Sequence, residues 1–490
     1  MYIGIDLGTS AVKAVLIDEQ DRVVDTASAP LTVSRPRPLW SEQDPEGWWT
    51  AADQAVLAMR ARQERAFAAV RAVGLSGQMH GATLLDAEGR VIRPAILWND
   101  GRSHAECAWL EETVPDLPRI AGNRAMPGFT APKLVWLRRH EPEAYARVAK
   151  VLLPKDYLRW RMTGEYASDM SDSAGTLWMN VAERRWAPEL LEACGLNEGH
   201  MPRLFEGTEI TGRLRPEVAD RWGLGTVPVV GGGGDNAAGA VGANVIEPGT
   251  AFVSLGTSGV YFVSSGEYRA NPQGGVHAFC HCLPGRWHQM SVILSAASCL
   301  SWLKGVLGAA SEAEMLAEAE GRPLLRDPAE KPLFLPYLSG ERTPHNNPYA
   351  KGVFFGLTHA TERADLVIAV LEGVAFAFAD GQQALYDAGT AIEEVSVIGG
   401  GAASVLWGRI LASVLGRKLI YREGAELGPA FGAARLARFG DTGRIEVEPQ
   451  PIRRVAEPEP ELQALYARLW PRYRALYQTL EAPFFSAPQA

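Results

Sequence analysis

Hydrophobic and polar residues alternate at the start of the chain in the pattern of a β-hairpin. The stretch "IGIDLGTSAVKAV" at residues 3–15 predicts strands at about residues 2–6 and 11–18, joined by a turn at residues 7–10. Asp6 ends the first, apolar strand. A buried carboxylate is costly there unless it is paired, hydrogen-bonded or bound to a metal. The pattern therefore predicts a partner for Asp6.

The same pattern returns about half the chain later, in "AFVSLGTSGVYFV" at residues 251–263. An internal repeat of this size indicates two halves of related fold. Each glycine turn can approach a ligand closely, and its backbone N–H groups and hydroxyls can cradle phosphate oxygens. The two turns therefore predict a polyphosphate clamp, whose candidate residues are Thr9, Ser10, Gly256 and Thr257.

The two copies differ at two positions that bear on chemistry. Ser254 stands at the position of Asp6, and Tyr261 at the position of Lys13. Only the first hairpin therefore offers a carboxylate that could hold Mg²⁺, directly or through water, and a lysine that could add positive charge to a phosphate site. The alternative is that Asp6 caps local N–H groups.

Three later segments follow a plan of strand, glycine turn and then helix or strand. They lie at residues 70–86, 227–243 and 394–416, and their alternation with helical patterns is typical of an α/β architecture with ligand contacts along one cleft. In the second segment, four glycines precede Asp235, which opens a helix. Asp235 is either a helix cap or a general base that accepts the proton of a hydroxyl during phosphoryl transfer. The four glycines favour the base, because they would clear space for a ligand.

Composition narrows the classes of partner. A chain of 490 residues with 47% hydrophobic residues and a net charge of −9 predicts a globular protein of two large domains, and argues against nucleic acid or an anionic membrane as main partner. We expect neither a signal peptide nor a membrane span. Five cysteines indicate a reducing, cytoplasmic location. Cys280, His281 and Cys282 lack a second pair of ligands, which favours a strand with apolar thiols over a metal site.

The paired Gly-Thr hairpins, the Gly-Asp-Asn at 234–236 and the Gly-Gly-Gly-Ala turn at 399–402 resemble the FGGY carbohydrate kinases. Two longer segments resemble that family's signatures, "GFTAPKLVWLRRH" at 128–140 and "GVFFGLTHATERADLVIAVLE" at 352–372. The resemblance implies duplicated actin-like, ribonuclease H-like domains with a nucleotide and sugar cleft between them. It implies a sugar-binding domain at about 1–245 and a nucleotide-binding domain at about 246–490.

Five further segments, at 39–49, 77–86, 94–102, 152–165 and 334–348, most resemble the family members that phosphorylate D-xylulose on its 5-hydroxyl with ATP and Mg²⁺. Carried over by position, the resemblance makes Asp235 the base and places Asp6 near Mg²⁺ and the phosphates. The sugar contacts it implies are Met79 and His80, which could instead pack into the core. The neighbouring Gln78 favours a hydroxyl-binding edge, and Asn236 and Arg102 are further candidates for contacts to sugar hydroxyls. Arg102 could instead pair with Asp100, and Asn236 could cap a helix.

On the nucleotide side, Thr9, Ser10, Lys13, Gly256 and Thr257 would bind phosphates, and adenosine would lie against Gly400, Gly401 and Ala402. Close helix–strand packing is the alternative for these last three residues. Lys155 and Asp156 are expected to form a structural pair, and Trp136 and Trp178 to lie in the core.

Other functions stay open from the sequence. They are a kinase for another ketopentose or polyol, a non-catalytic sugar sensor of the same fold, and an actin-like chaperone ATPase, for which no peptide-binding segment is evident. The sensor would be expected to lack Asp6 or Asp235, and both are present. A homodimer is expected.

Overall fold

The computed structural model of the protein describes residues 1–423, 428–448 and 450–486. The strands are β1 (Tyr2–Leu7), β2 (Ala11–Ile17), β3 (Val23–Pro30), β4 (Glu42–Gln43), β5 (Ala72–Gly77), β6 (Thr83–Leu85), β7 (Ala95–Ile96), β8 (Lys150–Leu152), β9 (Ala167–Asp169), β10 (Met179–Asn180), β11 (Arg185–Trp186), β12 (Arg203–Phe205), β13 (Ile210–Arg213), β14 (Pro228–Val230), β15 (Gly233–Gly234), β16 (Thr250–Leu255), β17 (Gly259–Ser265), β18 (His277–Cys280), β19 (Trp287–Ile293), β20 (Leu333–Leu335), β21 (Val353–Phe355), β22 (Glu394–Ile398), β23 (Leu419–Arg422) and β24 (Ile452–Ala456).

The helices are α1 (Pro45–Arg62), α2 (Glu64–Phe67), α3 (His104–Thr113), α4 (Leu117–Ala121), α5 (Thr130–His140), α6 (Pro142–Tyr145), α7 (Pro154–Thr163), α8 (Met170–Ser173), α9 (Pro188–Ala193), α10 (Pro216–Trp222), α11 (Asp235–Gly242), α12 (Ala297–Leu307), α13 (Glu312–Glu320), α14 (Arg363–Asp387), α15 (Val405–Leu415), α16 (Gly428–Thr442) and α17 (Pro460–Phe484). Among the described residues, no helix combines the length and the apolar character needed to cross a membrane.

Two mixed sheets form the framework. The N-terminal sheet has the strand order β13-β14-β5-β1-β2-β3, with β15 also paired to β5. The C-terminal sheet has the order β18-β19-β17-β16-β22-β23-β24. In each, an antiparallel hairpin (β1 with β2, β16 with β17) is followed on one side by parallel strands (β5 and β14, β22 and β23). The predicted hairpins and the duplicated α/β plan are therefore confirmed.

The two hairpins differ in register by one residue. Asp6 faces Lys13 in the first hairpin, whereas Ser254 faces Val260 in the second. The second turn is thus one residue shorter than the first. The expectation that Tyr261 occupies the position equivalent to Lys13 is therefore wrong in the structure. Tyr261 is instead completely buried in the C-terminal core.

Two small-residue helices, α11 and α16, pack against each other and against the N-terminal sheet. A Cβ atom on Gly432 of α16 would stand 1.7 Å from the carbonyl oxygen of Ala238 in α11, and one on Gly4 of β1 would stand 2.0 Å from the carbonyl oxygen of Ala430. Backbones can approach so closely only where a side chain is missing. Helix α16, late in the chain, therefore lies against the N-terminal sheet, and the division at residues 245 and 246 stays a prediction.

The candidate residues collect where parallel strands end. Strands β1, β5 and β15 run in the same direction, and so do β16 and β22. Loops at the carboxyl ends of parallel strands form the ligand crevice of open α/β sheets. The turns after β1, β5 and β15 carry the N-terminal candidates, and the turns after β16 and β22 carry the C-terminal ones.

Candidate active site

A cavity of about 300 Å³ lies between the two halves of the chain. Its polar lining comes from His80, Asp235 and Asn236 on the N-terminal side and from Ser258, His277 and Arg342 on the C-terminal side. The rest of the wall is largely apolar and aromatic. A cavity of this size with a few convergent polar groups suits a small polar ligand.

Asp235 presents a carboxylate to this cavity. It is the first residue of α11, and Gly234 occupies the N-cap position. Its Oδ1 accepts hydrogen bonds from the backbone N–H of Asn236 at 2.7 Å and from the Asn236 side-chain amide at 2.9 Å. Burial raises the pKa of Asp235 from its ordinary value of 3.8 to about 6, against the effect of these two bonds. The group is ionised near neutral pH, yet more basic than an ordinary aspartate, as a proton acceptor requires.

The four glycines before Asp235 make room for the protein itself. A Cβ atom on Gly232 would stand 2.0 Å from the carbonyl oxygen of Leu75, and one on Gly234 would stand 2.9 Å from Cγ of Met79. The argument that these glycines clear space for a ligand is therefore wrong. The assignment of Asp235 rests instead on the position of its carboxylate in the cavity wall.

A hydrogen-bond chain fixes the backbone next to Asp235. The N–H of Gly234 donates to Oγ of Ser171 at 3.0 Å, and the Ser171 hydroxyl donates to Asp169 at 2.5 Å. Asp169 in turn lies 3.0 Å from the ammonium group of Lys155, which also contacts Asp156 at 2.6 Å. The predicted pair of Lys155 and Asp156 is therefore confirmed, as part of a completely buried ionic cluster beneath the start of α11.

Asp6 has an unsatisfied, buried oxygen. The residue is 7% exposed, and its Oδ1 has no hydrogen-bond partner. Burial, and then the charge of Asp235, raise the pKa of Asp6 to about 7. An orphaned carboxylate oxygen fits a divalent cation or its bound water, the kind of ligand that Mg²⁺ prefers. Among the described residues, no group of three or more His, Cys, Asp or Glu side chains could hold a metal, so most of the ligands of a cation at Asp6 would be water and phosphate.

His80 is a neutral hydrogen-bonding group in the cavity wall. Its Nδ1 lies 2.6 Å from the carbonyl oxygen of Gly175, so Nδ1 carries the proton and Nε2 is left as an acceptor. Burial lowers the pKa of His80 to about 3. Its backbone has a φ of 69°, and Thr130 and Lys133 hold its carbonyl oxygen at 3.1 and 2.8 Å. Met79 lines the same wall.

The C-terminal turns lie side by side at the ends of β16 and β22. A Cβ atom on Gly401 would stand 2.8 Å from Cβ of Leu255, whereas Gly400 has open space around it. Close packing therefore explains why residue 401 is a glycine, but it does not explain why residue 400 is one. Ser258, at the end of the turn that contains Gly256 and Thr257, reaches the cavity of Asp235. The predicted nucleotide turns and the predicted sugar cavity are thus adjacent.

Family models match both halves of the chain. The N-terminal domain of the FGGY family of carbohydrate kinases matches residues 1–242, and its C-terminal domain matches residues 251–440. The chain belongs to the FGGY family of carbohydrate kinases. The expected duplicated fold is confirmed, because solved FGGY-type sugar kinases share it over nearly the full length.

Several relatives of this FGGY kinase are named xylulose kinases. The chain is 55% identical to the xylulose kinase of Escherichia coli K12, over 98% of this chain and 99% of that protein, and 36% identical to that of Bacillus subtilis, over 97% and 96%. Among solved structures, a xyloylose kinase from Brucella ovis superimposes with a TM-score of 0.95 at 51% identity, covering 98% of this chain and 99% of the other.

Two of the predicted sugar contacts lie outside the cavity. The Arg102 side chain is 1% exposed, and its guanidinium pairs with Asp100 at 2.7 Å and with Glu42 at 2.8 Å. Its prediction as a sugar contact is therefore wrong, and the alternative pairing with Asp100 is confirmed. Gln78 is 2% exposed and is hydrogen-bonded to Gln43 at 3.0 Å and to Thr9 at 3.1 Å. It braces the N-terminal turn and does not face the cavity.

The other predicted residues of this FGGY kinase divide as follows. Thr9 donates its hydroxyl to Gln78 and accepts a bond from Trp98 at 3.0 Å, so its phosphate contact stays a prediction. Ser10 is exposed in the same turn and Lys13 is exposed on β2, and Ala402 follows Gly401 in a short 3₁₀ turn. Trp136 and Trp178 are buried, as predicted. Cys280 ends a buried strand, as the apolar-thiol interpretation expects.

Sequence reasoning missed several cavity residues of this FGGY kinase. They are Trp98, Phe129, His277 and Arg342. Three of the four lie in segments that carried the family resemblance, at 94–102, 128–140 and 334–348. His277 begins β18 and shows no local signal, because only the docking of that strand against the N-terminal half brings it to the cavity.

Proposed function

We propose that this protein transfers the γ-phosphate of ATP to the 5-hydroxyl of D-xylulose, giving D-xylulose 5-phosphate and ADP. The observation that carries this proposal is the carboxylate of Asp235 in a cavity that also receives Ser258, next to the glycine turns of the other half. The xylulose kinases among the relatives, at up to 55% identity over nearly the whole chain, support the choice of sugar.

The residues supply the proton chemistry of the transfer. The acceptor hydroxyl lies against Asp235, which takes its proton as the hydroxyl oxygen forms a bond to the γ-phosphorus. The bond between that phosphorus and the β,γ-bridging oxygen breaks, and ADP leaves with its electron pair. Asn236 keeps the carboxylate oriented through two hydrogen bonds. His80 accepts a sugar hydroxyl at Nε2.

Asp6 is the residue that would hold Mg²⁺, directly or through water. When bound, the ion supplies neutralisation of phosphate charge. Thr9, Ser10, Lys13, Gly256 and Thr257 are proposed to contact the phosphates, and Gly400, Gly401 and Ala402 the adenosine. In this proposal, residues 1–245 hold most of the sugar contacts and 246–490 most of the nucleotide contacts. The homodimer and the cytoplasmic location stay predictions.

The test is ADP release by the purified protein with Mg-ATP and a panel of acceptors. The panel contains D-xylulose, D-ribulose, L-ribulose, L-xylulose, glycerol, gluconate and no sugar. We expect strong turnover with D-xylulose alone. Turnover with another acceptor would assign a different sugar to the same base, and turnover with none, together with sugar binding, would identify a sensor.

A further inference from the structure

One arginine in the cavity has no role in the mechanism above. The guanidinium of Arg342 makes a single hydrogen bond, to Nε2 of His277 at 3.4 Å. Among the described residues, no carboxylate forms a salt bridge with it, and burial lowers its pKa. A guanidinium carries five N–H donors. Arg342 is partly buried and lines the cavity, so most of these donors are available there to a ligand.

A fixed chain of hydrogen bonds orients this guanidinium. The Asn123 amide group donates to the carbonyl oxygens of Ala121 and Ala278, at 3.0 and 2.9 Å. Its Oδ1 must therefore accept from Nδ1 of His277, 2.8 Å away. Burial lowers the pKa of His277 well below its ordinary value, so the ring is neutral and its Nε2 lone pair faces Arg342. The chain sets both the tautomer of the histidine and the direction of the arginine.

The backbone around Arg342 is equally well held. Thr343 donates its N–H to the carbonyl oxygen of Val292 at 3.1 Å, and its hydroxyl accepts from the N–H of Val292 at 3.0 Å. The same hydroxyl donates to the carbonyl oxygen of Gly275 at 2.8 Å. Val292 itself lines the cavity. Arg342 is therefore positioned before any ligand arrives, which is the arrangement that a specificity residue requires.

Arg342 and Asp235 serve different ends of the cavity. The charge of Arg342 lowers the pKa of His277 after burial, and that of His80 after burial and the charge of Lys133. Asp235 and Arg342 reach the cavity from opposite halves of the chain, and their charged groups form no salt bridge with each other. A sugar whose reacting hydroxyl lies against Asp235 therefore turns its opposite end toward Arg342. In a ketopentose phosphorylated at position 5, that end is the hydroxyketone at C1 and C2.

We propose that Arg342 binds O1 and O2 of the acceptor sugar with two parallel hydrogen bonds, and thereby selects for the hydroxyketone end of a ketose. Two oxygens on neighbouring carbons match the planar fork of a guanidinium, as a carboxylate does. Arg342 thus takes the role in sugar binding that the sequence suggested for Arg102. The inference rests on the proposed function, because it assigns a protein contact to each end of the sugar that the proposed function names.

The test compares D-xylulose with 1-deoxy-D-xylulose, which lacks O1, in the wild-type protein and in Arg342→Met and Arg342→Lys. For Arg342→Met we expect kcat/KM for D-xylulose to fall about 10- to 100-fold, the range for hydrogen bonds to a charged group, mostly through KM. For 1-deoxy-D-xylulose we expect a smaller fall in kcat/KM, so that the preference of the enzyme for D-xylulose decreases. Lysine restores part of kcat/KM, because its ammonium group can donate but lacks the fork.

Arg102→Lys is the matched control, because the Arg102 side chain is buried and its fork is occupied by Asp100 and Glu42. It should lower the melting temperature and leave the preference between the two sugars unchanged. Arg342→Met should keep or raise the melting temperature, since it strands no carboxylate. Equal losses with both sugars, an unchanged KM for D-xylulose, or a raised KM for ATP alone would each overturn the proposal.

Calorimetric binding of both sugars without ATP separates this inference from the proposed function. If wild-type protein phosphorylates D-xylulose while Arg342→Met binds both sugars as wild type does, the inference alone fails. If wild-type protein phosphorylates no sugar, the proposed function fails. In that case, the contact is still judged by whether Arg342→Met weakens binding of D-xylulose more than binding of its deoxy analogue.

Discussion

Replacing Asp235 by asparagine should abolish turnover while leaving the fold and the sugar site in place. Asparagine has nearly the same shape, and its Oδ1 can still accept the N–H of Asn236. The group it adds is an NH₂ donor, which cannot take a proton. General base catalysis contributes about 10²- to 10⁴-fold, so kcat should fall by about that factor. Sugar affinity should change by less than about tenfold, the value of one hydrogen bond.

The same substitution should stabilise the protein, because Asp235 is costly in the folded state. Burial raises its pKa from 3.8 to about 6. Each pKa unit corresponds to about 1.4 kcal/mol, so ionisation destabilises the fold by up to about 3 kcal/mol above pH 6. Asparagine removes this destabilisation. The gain in the free energy of unfolding should be full at pH 8 and should disappear below about pH 4, where the aspartate is neutral in both the folded and unfolded states.

Three measurements test this prediction, with Asp53→Asn as the control. They are ADP release, calorimetric binding of D-xylulose, and melting temperature at pH 8 and pH 4. Asp53 is also buried, but hydrogen bonds from Arg221 and Trp222 lower its pKa against the effect of burial. Its asparagine variant should therefore be less stable and keep its kcat. Near-normal turnover by Asp235→Asn would reject the base assignment, and a lower melting temperature at pH 8 would contradict the electrostatic argument.

Three further outcomes are expected. The kcat/KM for sugar should fall about tenfold per pH unit below about pH 6, since Asp235 accepts a proton only when ionised and its pKa is about 6; a flat profile to pH 5 would contradict this. Gly400→Ala adds a methyl group into open space, so it should raise KM for ATP without changing the melting temperature, and an unchanged KM would remove the nucleotide from this turn. Arg102→Met leaves the buried Asp100 without its ion-pair partner, whereas Glu42 keeps Arg93, and should cost about 3–5 kcal/mol in urea unfolding with KM for sugar unaltered; a raised KM for sugar would contradict the structural role.

The sequence predicts best what depends on neighbours in the chain. The hairpin at residues 2–17 and the strand, glycine turn and helix around Asp235 follow from alternation and turn chemistry, which are local. The repeat at 251–263 adds the duplicated fold, because two related halves share one plan. It does not fix the register, since the shorter second turn moves Val260 to the position that Tyr261 was expected to fill.

The errors concern side chains whose role depends on contacts across the fold. The glycines before Asp235 look like room for a ligand, yet Glu206, Leu75, Cys282 and Met79, from distant segments, fill that room. Arg102 sits in a loop that resembles a sugar-binding segment, but Asp100 holds its guanidinium with two hydrogen bonds and Glu42, far back in the chain, lies 2.8 Å from it. A sequence shows the donor groups without showing which acceptors already occupy them.

Arg102 and Arg342 illustrate the physical difference between a structural cation and a cation that binds a ligand. Arg102 has its fork filled by two carboxylates, so its charge is balanced and a neutral sugar could gain little from it. Arg342 has one histidine nitrogen for its five donors, so the oxygen atoms of a ligand in the cavity can accept from the others. The same reasoning separates Lys155, surrounded by carboxylates, from Asp6, whose buried oxygen has no partner. Arg342 lines the cavity and Asp6 is close enough to Asp235 to feel its charge, so substrate and cation can complete the two groups there, and a fold that satisfied them internally would be more stable but could not bind.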